Sequence, residues 1–111
     1  MQYLLLIYEN EQRFSKGFDP AELTEYRAFG TQHAAAIKGG HALQPTRTAR
    51  TVRVRDGKTL ATDGPFAETK EQLGGFYLVE AKDVDEAASM AAKIPGARYG
   101  SVEVRPIMTF S

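Results

Sequence analysis

Two short segments of this chain, Tyr3-Leu4-Leu5-Leu6-Ile7-Tyr8 and Phe76-Tyr77-Leu78-Val79, are apolar at every position. Successive side chains of a strand point to opposite faces, so such a strand must be covered on both. Strands of this kind belong in the middle of a sheet. Each is followed by a helix start. Asp19-Pro20-Ala21-Glu22 supplies a capping aspartate, a proline at the first helical position and a glutamate three residues after the cap. Asp83-Val84-Asp85-Glu86 repeats the capping pattern.

The first helix carries Leu23, Tyr26, Gly30, His33 and Ile37 at spacings of three and four, which trace one face, and Gly39-Gly40 is expected to end it. The second runs through Ala87, Ala88, Ala91 and Ile94 and stops at Pro95-Gly96. Its alanine face lets its axis lie close to a sheet. Thr51–Arg55 and Ser101–Arg105 alternate apolar with polar residues and read as half-exposed strands at the sheet edges. Asp56-Gly57 is a tight-turn pair, so Lys58–Thr62 returns as a hairpin partner. His41 to Pro45 reads as a short extended piece.

The order is β-α-β-β-α-β with an extra hairpin arm. This is the α+β, ferredoxin-like split βαβ arrangement, in which the first and third main strands lie centrally. Two helices cover one face of such a sheet. The other face of the two central strands needs a different cover. A second copy of the chain, sheet against sheet, would supply it and predicts a homodimer. The alternative is that the arm, Arg47–Thr62, folds over that face.

With 111 residues the chain is one domain, 1–111. Its 14 Lys and Arg balance 14 Asp and Glu, which argues against general affinity for nucleic acid or acidic membranes. The absence of cysteine excludes disulfides and thiolate chemistry. No apolar run approaches the roughly 20 residues of a membrane span, and the first strand lacks the basic leader of a signal peptide. The expectation is a soluble, cytoplasmic protein. Two histidines without close ligand spacing give no metal site, and no cofactor motif is present.

The chemistry-bearing stretch is the connection Asp63 to Phe76. Asp63-Gly64-Pro65-Phe66 is a turn by composition. Asp63 either bonds the turn's amides or offers a carboxylate to a ligand as acid or base. Glu68-Thr69-Lys70-Glu71 reads as a short helical segment. It is either a solvated face or a place where Glu68 and Lys70 bracket a pocket. Gly74-Gly75 marks a close backbone or ligand approach, or a simple bend. His33 either satisfies a backbone carbonyl or carries a proton near neutral pH. Arg47, Arg50, Arg53, Arg55 and Lys58 form a basic patch on the arm. There Arg53 could hold an anionic ligand, or the charges could keep an edge from aggregating. The candidate catalytic pair is therefore Asp63 with His33, and the candidate ligand-binding residues are Glu68, Lys70 and Arg53.

The run DGPFAETKEQLGGFYLVE from Asp63, with TVRVRDG before it, VEVRP after it and YLLLIYE near the start, closely resembles the DGPF-domain proteins of the broader YCII-related family. The resemblance covers nearly the whole chain. It implies a ferredoxin-like dimeric α/β barrel and no settled function. It also implies a link to regulation or stress, since such genes often accompany extracytoplasmic-function sigma factors. The YCII-like branch is thought enzymatic through a histidine early in the first helix and an aspartate near the end of the second. Here the second helix ends Ala92-Lys93-Ile94-Pro95 and His33 lies late in the first, so that dyad does not carry over. The expectation is a small-ligand-binding or regulatory homodimer. The alternative is a cofactor-independent enzyme using acid/base chemistry.

Overall fold

The computed structural model describes residues 1–110. Among them, β1 (Gln2–Glu9), α1 (Pro20–Gln32), β2 (Ile37–Ala42), β3 (Arg50–Arg55), β4 (Lys58–Asp63), β5 (Gln72–Glu80), α2 (Val84–Ala91) and β6 (Ser101–Pro106) follow in that order. Short 3-10 turns lie at Glu11–Phe14, Thr46–Thr48 and Pro95–Arg98. Four strands form one antiparallel sheet in the order β2-β5-β1-β6, while β3 and β4 pair only with each other. The two βαβ units interleave, and the fold is the ferredoxin-like α+β fold expected from the residues.

The two all-apolar segments are the two central strands. On one face Tyr3, Leu5, Ile7 and Val79 pack under the helices, with Leu5 and Val79 fully buried. Phe29 of α1 and Ala87, Met90 and Ala91 of α2 close this core, and Ile94 follows just after α2. Burial of a Leu or Val side chain contributes about 2 kcal/mol, so these positions carry the stability. On the opposite face Leu4 stands across from Leu78 and Leu6 across from Phe76. These four are only half-buried, because no helix reaches them. Glu103 and Arg105 of β6 flank the same face, opposite Leu6 and Leu4.

Both helix starts are capped as expected. The Asp19 carboxylate accepts from the Ala21 amide (3.0 Å) and that of Asp83 from the Glu86 amide (2.9 Å). Glu22 does not complete a capping box: it is buried and turns to Arg13. Two further expectations are corrected. The first helix ends at Gln32, not at Gly39-Gly40. His33 takes the C-cap, and the amides of Ala36 and Ile37 fold back to its carbonyl. The Glu80 amide then takes the Ala36 carbonyl (2.8 Å), and pairing with β5 draws Ile37–Ala42 into the sheet. As a result β2, not Thr51–Arg55, is the second edge of the sheet. The close approach expected at Gly74-Gly75 is real at Gly75, where a Cβ would stand 3.0 Å from the His41 carbonyl across this pair.

The arm does not fold over the open face. Its strands pair with each other and make at most marginal contact with the sheet. The chain is a plate of 46 × 46 × 19 Å with a radius of gyration of 15.9 Å. A compact chain of this length would have about 13 Å. No helix of the described residues is long and apolar enough to cross a membrane.

Candidate functional site

The connection from Gly64 to Gln72 is not helical, contrary to the expectation for Glu68–Glu71; it is an irregular loop. Gly64 has φ +96°, a left-handed value that glycine tolerates, and Pro65 next to it blocks helical hydrogen bonding. Folded back on the base of the arm, the loop encloses a cleft of about 430 Å³ lined by Thr46, Arg47, Gly64, Pro65, Glu68 and Thr69, with Gln72 at its foot.

The cleft is braced from behind by the 3-10 turn after β1. The Glu11 carboxylate accepts from the Thr46 amide (2.7 Å) and the Thr46 hydroxyl (2.8 Å). The Glu11 amide donates to Gln72 Oε1 (3.0 Å), and the Gln72 side-chain amide donates to the Thr69 carbonyl. At the arm's root the Gly64 amide donates to the Ala49 carbonyl (2.7 Å) and the Thr51 hydroxyl to the Gly64 carbonyl (2.9 Å). Thus Glu11 fixes one wall of the cleft without lining it. Glu11→Ala should lower unfolding free energy by about 1–2 kcal/mol, two hydrogen bonds to a charged acceptor being lost, as read by urea titration.

Of the residues singled out by sequence, Glu68 lines the cleft. Asp63 ends β4 one residue before the lining Gly64. Its side chain is 88% exposed and meets Arg50 Nε at 3.3 Å. Lys70 is exposed on the loop, and Arg53 lies half-buried mid-way along β3. His33 sits in the helical layer. Its Nδ1–H donates to the Phe29 carbonyl (3.1 Å), and its ring lies 4.5 Å from that of Phe29. No hydrogen bond or ion pair among the described residues joins His33 to Asp63.

A second polar constellation was not singled out by sequence. At the helix-side end of β1, Arg13 Nη2 lies 3.0 Å from Glu9 Oε1 and 2.9 Å from Glu22 Oε1. Both carboxylates are buried. The guanidinium stacks 3.9 Å above the Tyr99 ring and 4.7 Å from Phe14. The Gly96 amide donates to the Tyr26 hydroxyl (3.2 Å) beside Glu9. Burial raises the Glu9 carboxyl above the ordinary glutamate range, and Arg13 only partly offsets that. Burial, with the Glu9 charge second, raises the Tyr26 phenol strongly. No buried polar side-chain atom among the described residues lacks a partner. The cluster ties β1, α1 and the 3-10 turns Glu11–Phe14 and Pro95–Arg98 together. One signal was available in the sequence: Glu9 is the charged end of an otherwise apolar central strand.

An uncharacterised protein of Rhizobium meliloti (strain 1021) is 39% identical over 117 residues, covering 99% of this chain and 94% of its own. Among solved structures, 5-chloro-2-hydroxyhydroquinone dehydrochlorinase (TftG) from Burkholderia phenoliruptrix AC1100, in complex with 2,5-dihydroxybenzoquinone, superposes with a TM-score of 0.61. It covers 97% of this chain and 94% of its own at 15% identity, a likeness of fold. The YCII-related domain model matches residues 1–111 from end to end, and the chain belongs to that family.

Proposed function

We propose that this protein is a homodimer that binds a small anionic molecule in the cleft under the Asp63–Phe76 connection. The observation that carries this reading is the cleft itself. It opposes one cation, Arg47, to hydrogen-bonding groups of Thr46, Thr69 and Gln72, with Glu68 at the rim. A guanidinium holds a carboxylate or enolate in a fork. The Thr46 and Thr69 hydroxyls are already donated to Glu11 and to the Glu71 carbonyl, so Arg47 carries the recognition. The dimer is supported by the half-buried apolar face of the sheet. A part in regulation alongside an extracytoplasmic-function sigma factor is compatible with a binding protein of this kind.

2,5-Dihydroxybenzoquinone, the compound bound by the structural neighbour, is a suitable first probe because its acidic hydroxyls make it a planar anion. Benzoate is a second. At tenfold Kd a ligand stabilises the folded state by about 1.4 kcal/mol, roughly 5–10 °C in a chain of this size. A probe-dependent rise of that size should vanish in Arg47→Ala and persist or grow in Glu68→Gln, which removes a carboxylate that repels the anion. A rise that survives Arg47→Ala, or no rise with either probe, overturns the reading.

The second reading, acid/base catalysis without a cofactor, rests on the adjacency of exposed Asp63 to Gly64 in the cleft wall. It requires turnover of a bound probe that Asp63→Asn abolishes while the thermal shift persists. His33 would act from the helical layer, so His33→Gln distinguishes a proton carrier from a residue that only binds the Phe29 carbonyl.

A further inference from the structure

A two-stranded hairpin is at best marginally stable in water without a surface to pack on. Here β3 and β4 form such a hairpin, which is outside the four-stranded sheet and makes at most marginal contact with any other element of its own chain. Yet one side of it is apolar. Val52 and Val54 alternate on that side with Ala61 across from Val52, and they are 59% and 61% exposed. Exposed β-branched residues in a row on a projecting strand mark a docking surface.

The charges say what docks there. Between residues 47 and 63 five cations face two carboxylates, a net charge of +3; since the chain is neutral overall, the remaining residues carry −3. The arm of one copy and the remainder of another thus carry opposite net charge, which favours their encounter. The size agrees as well. A stable interface needs about 800 Å² on each partner, and a plate 46 Å on a side offers that on one face. That face carries Leu4, Leu6, Phe76 and Leu78 at its centre, with Glu103 and Arg105 at its margin.

We propose that the arm of each protomer docks on a second copy of this chain, with its Val52–Val54 side against the half-buried apolar face of the other sheet. This rests on the dimer reading above and adds to it: the arm, not the sheet alone, makes the interface. It also has a consequence for the cleft. The arm's two roots, Arg47 and Gly64, line that cleft, so a docked arm holds the cleft walls at a fixed separation.

The test is sedimentation velocity of the full chain without ligand, between about 1 and 100 μM. Wild type should be dimeric, and V52D/V54D should raise the dimer Kd about hundredfold or more, since each new carboxylate would have to be desolvated against apolar surface. Far-UV circular dichroism should be unchanged, because both positions are exposed. Arg53 and Arg55 point to the other side of the hairpin, so the charge-reversed R53E/R55E should raise the Kd by no more than a few-fold; a loss as large as that of V52D/V54D would put the contact on that other side and overturn the proposal. Leu6→Asp separates the two ideas. If it yields monomers while V52D/V54D remains dimeric, the sheet forms the interface and the arm proposal fails alone. A wild type that is monomeric at 100 μM overturns both.

Discussion

Replacing Arg13 with methionine should lower the unfolding free energy by about 3 kcal/mol at neutral pH, and the loss should shrink as the pH falls. The magnitude follows from what is left behind. Removing one partner of a buried charge group costs about 3–5 kcal/mol, and Arg13 retains some solvent contact, so the lower end applies. Glu9 and Glu22 would stay in the interior with no guanidinium between them. At about 4 °C per kcal/mol the melting temperature should fall by roughly 12 °C.

The sign of the pH dependence follows from Glu9. Its folded pKa is raised, so the native state keeps this proton to higher pH than the unfolded chain does. Such a group loses stability as pH climbs from the unfolded value towards the folded one. In wild type Arg13 counters part of that rise; in the variant it is gone and the folded value moves further up. The variant's deficit relative to wild type should therefore be smallest near pH 4.5 and full by pH 8, in urea titrations run side by side. Groups that do not touch Arg13 act on both proteins and largely cancel in the difference. E9Q/R13M should recover part of the loss, because the pair is coupled. A deficit that is equal at both pH values would mean that Arg13 acts through its stacking on Tyr99 and not through the carboxylates.

This cluster shows where sequence reading reaches its limit. The central strands were legible because their alternation failed: Tyr3–Tyr8 and Phe76–Val79 are apolar at odd and even positions alike, which only a central strand requires. The hairpin was legible from Asp56-Gly57 between two strand-forming runs, and Asp56 indeed takes a positive φ of 52° there. Local signals failed where a distant partner outweighed them. Ala34-Ala35-Ala36 favours helix, and Ile37 continues the three-four spacing of the first helix. Hydrogen bonds to β5, some 40 residues later, claimed that segment instead. Glu22 stands at the capping-box position, but the guanidinium of Arg13 is the stronger partner. The cleft was half legible. Glu68 was read from the loop's own charges, whereas the bracing of Thr46 by Glu11 joins residues 35 apart that no local pattern links.

The same single methyl group should have opposite effects at two glycines of this chain. At Gly100, just before β6, a Cβ would lie 2.0 Å from the Tyr8 carbonyl oxygen and 3.0 Å from the Glu9 Cγ. Tyr8 cannot retreat, since β1 is paired on both sides and Tyr8 stands opposite Ser101 in the sheet. The Gly100 amide is itself bonded to the Gly96 carbonyl (2.9 Å), which holds the other side of the contact. Gly100→Ala must therefore spread the β1–β6 pair or push Glu9 off Arg13. The expected loss is about 3 kcal/mol, the upper end for an overpacked site. At Gly30, within α1, nothing lies within 4 Å of a built Cβ beyond the helix's own turn. There alanine only removes freedom from the unfolded chain, and Gly30→Ala should raise stability by about 0.5–1 kcal/mol. Thermal and urea unfolding of the two variants read both signs. A Gly100→Ala protein as stable as wild type would mean that the β1–β6 seam yields easily, and the packing of Glu9 against it could no longer be what holds the Arg13 cluster in place.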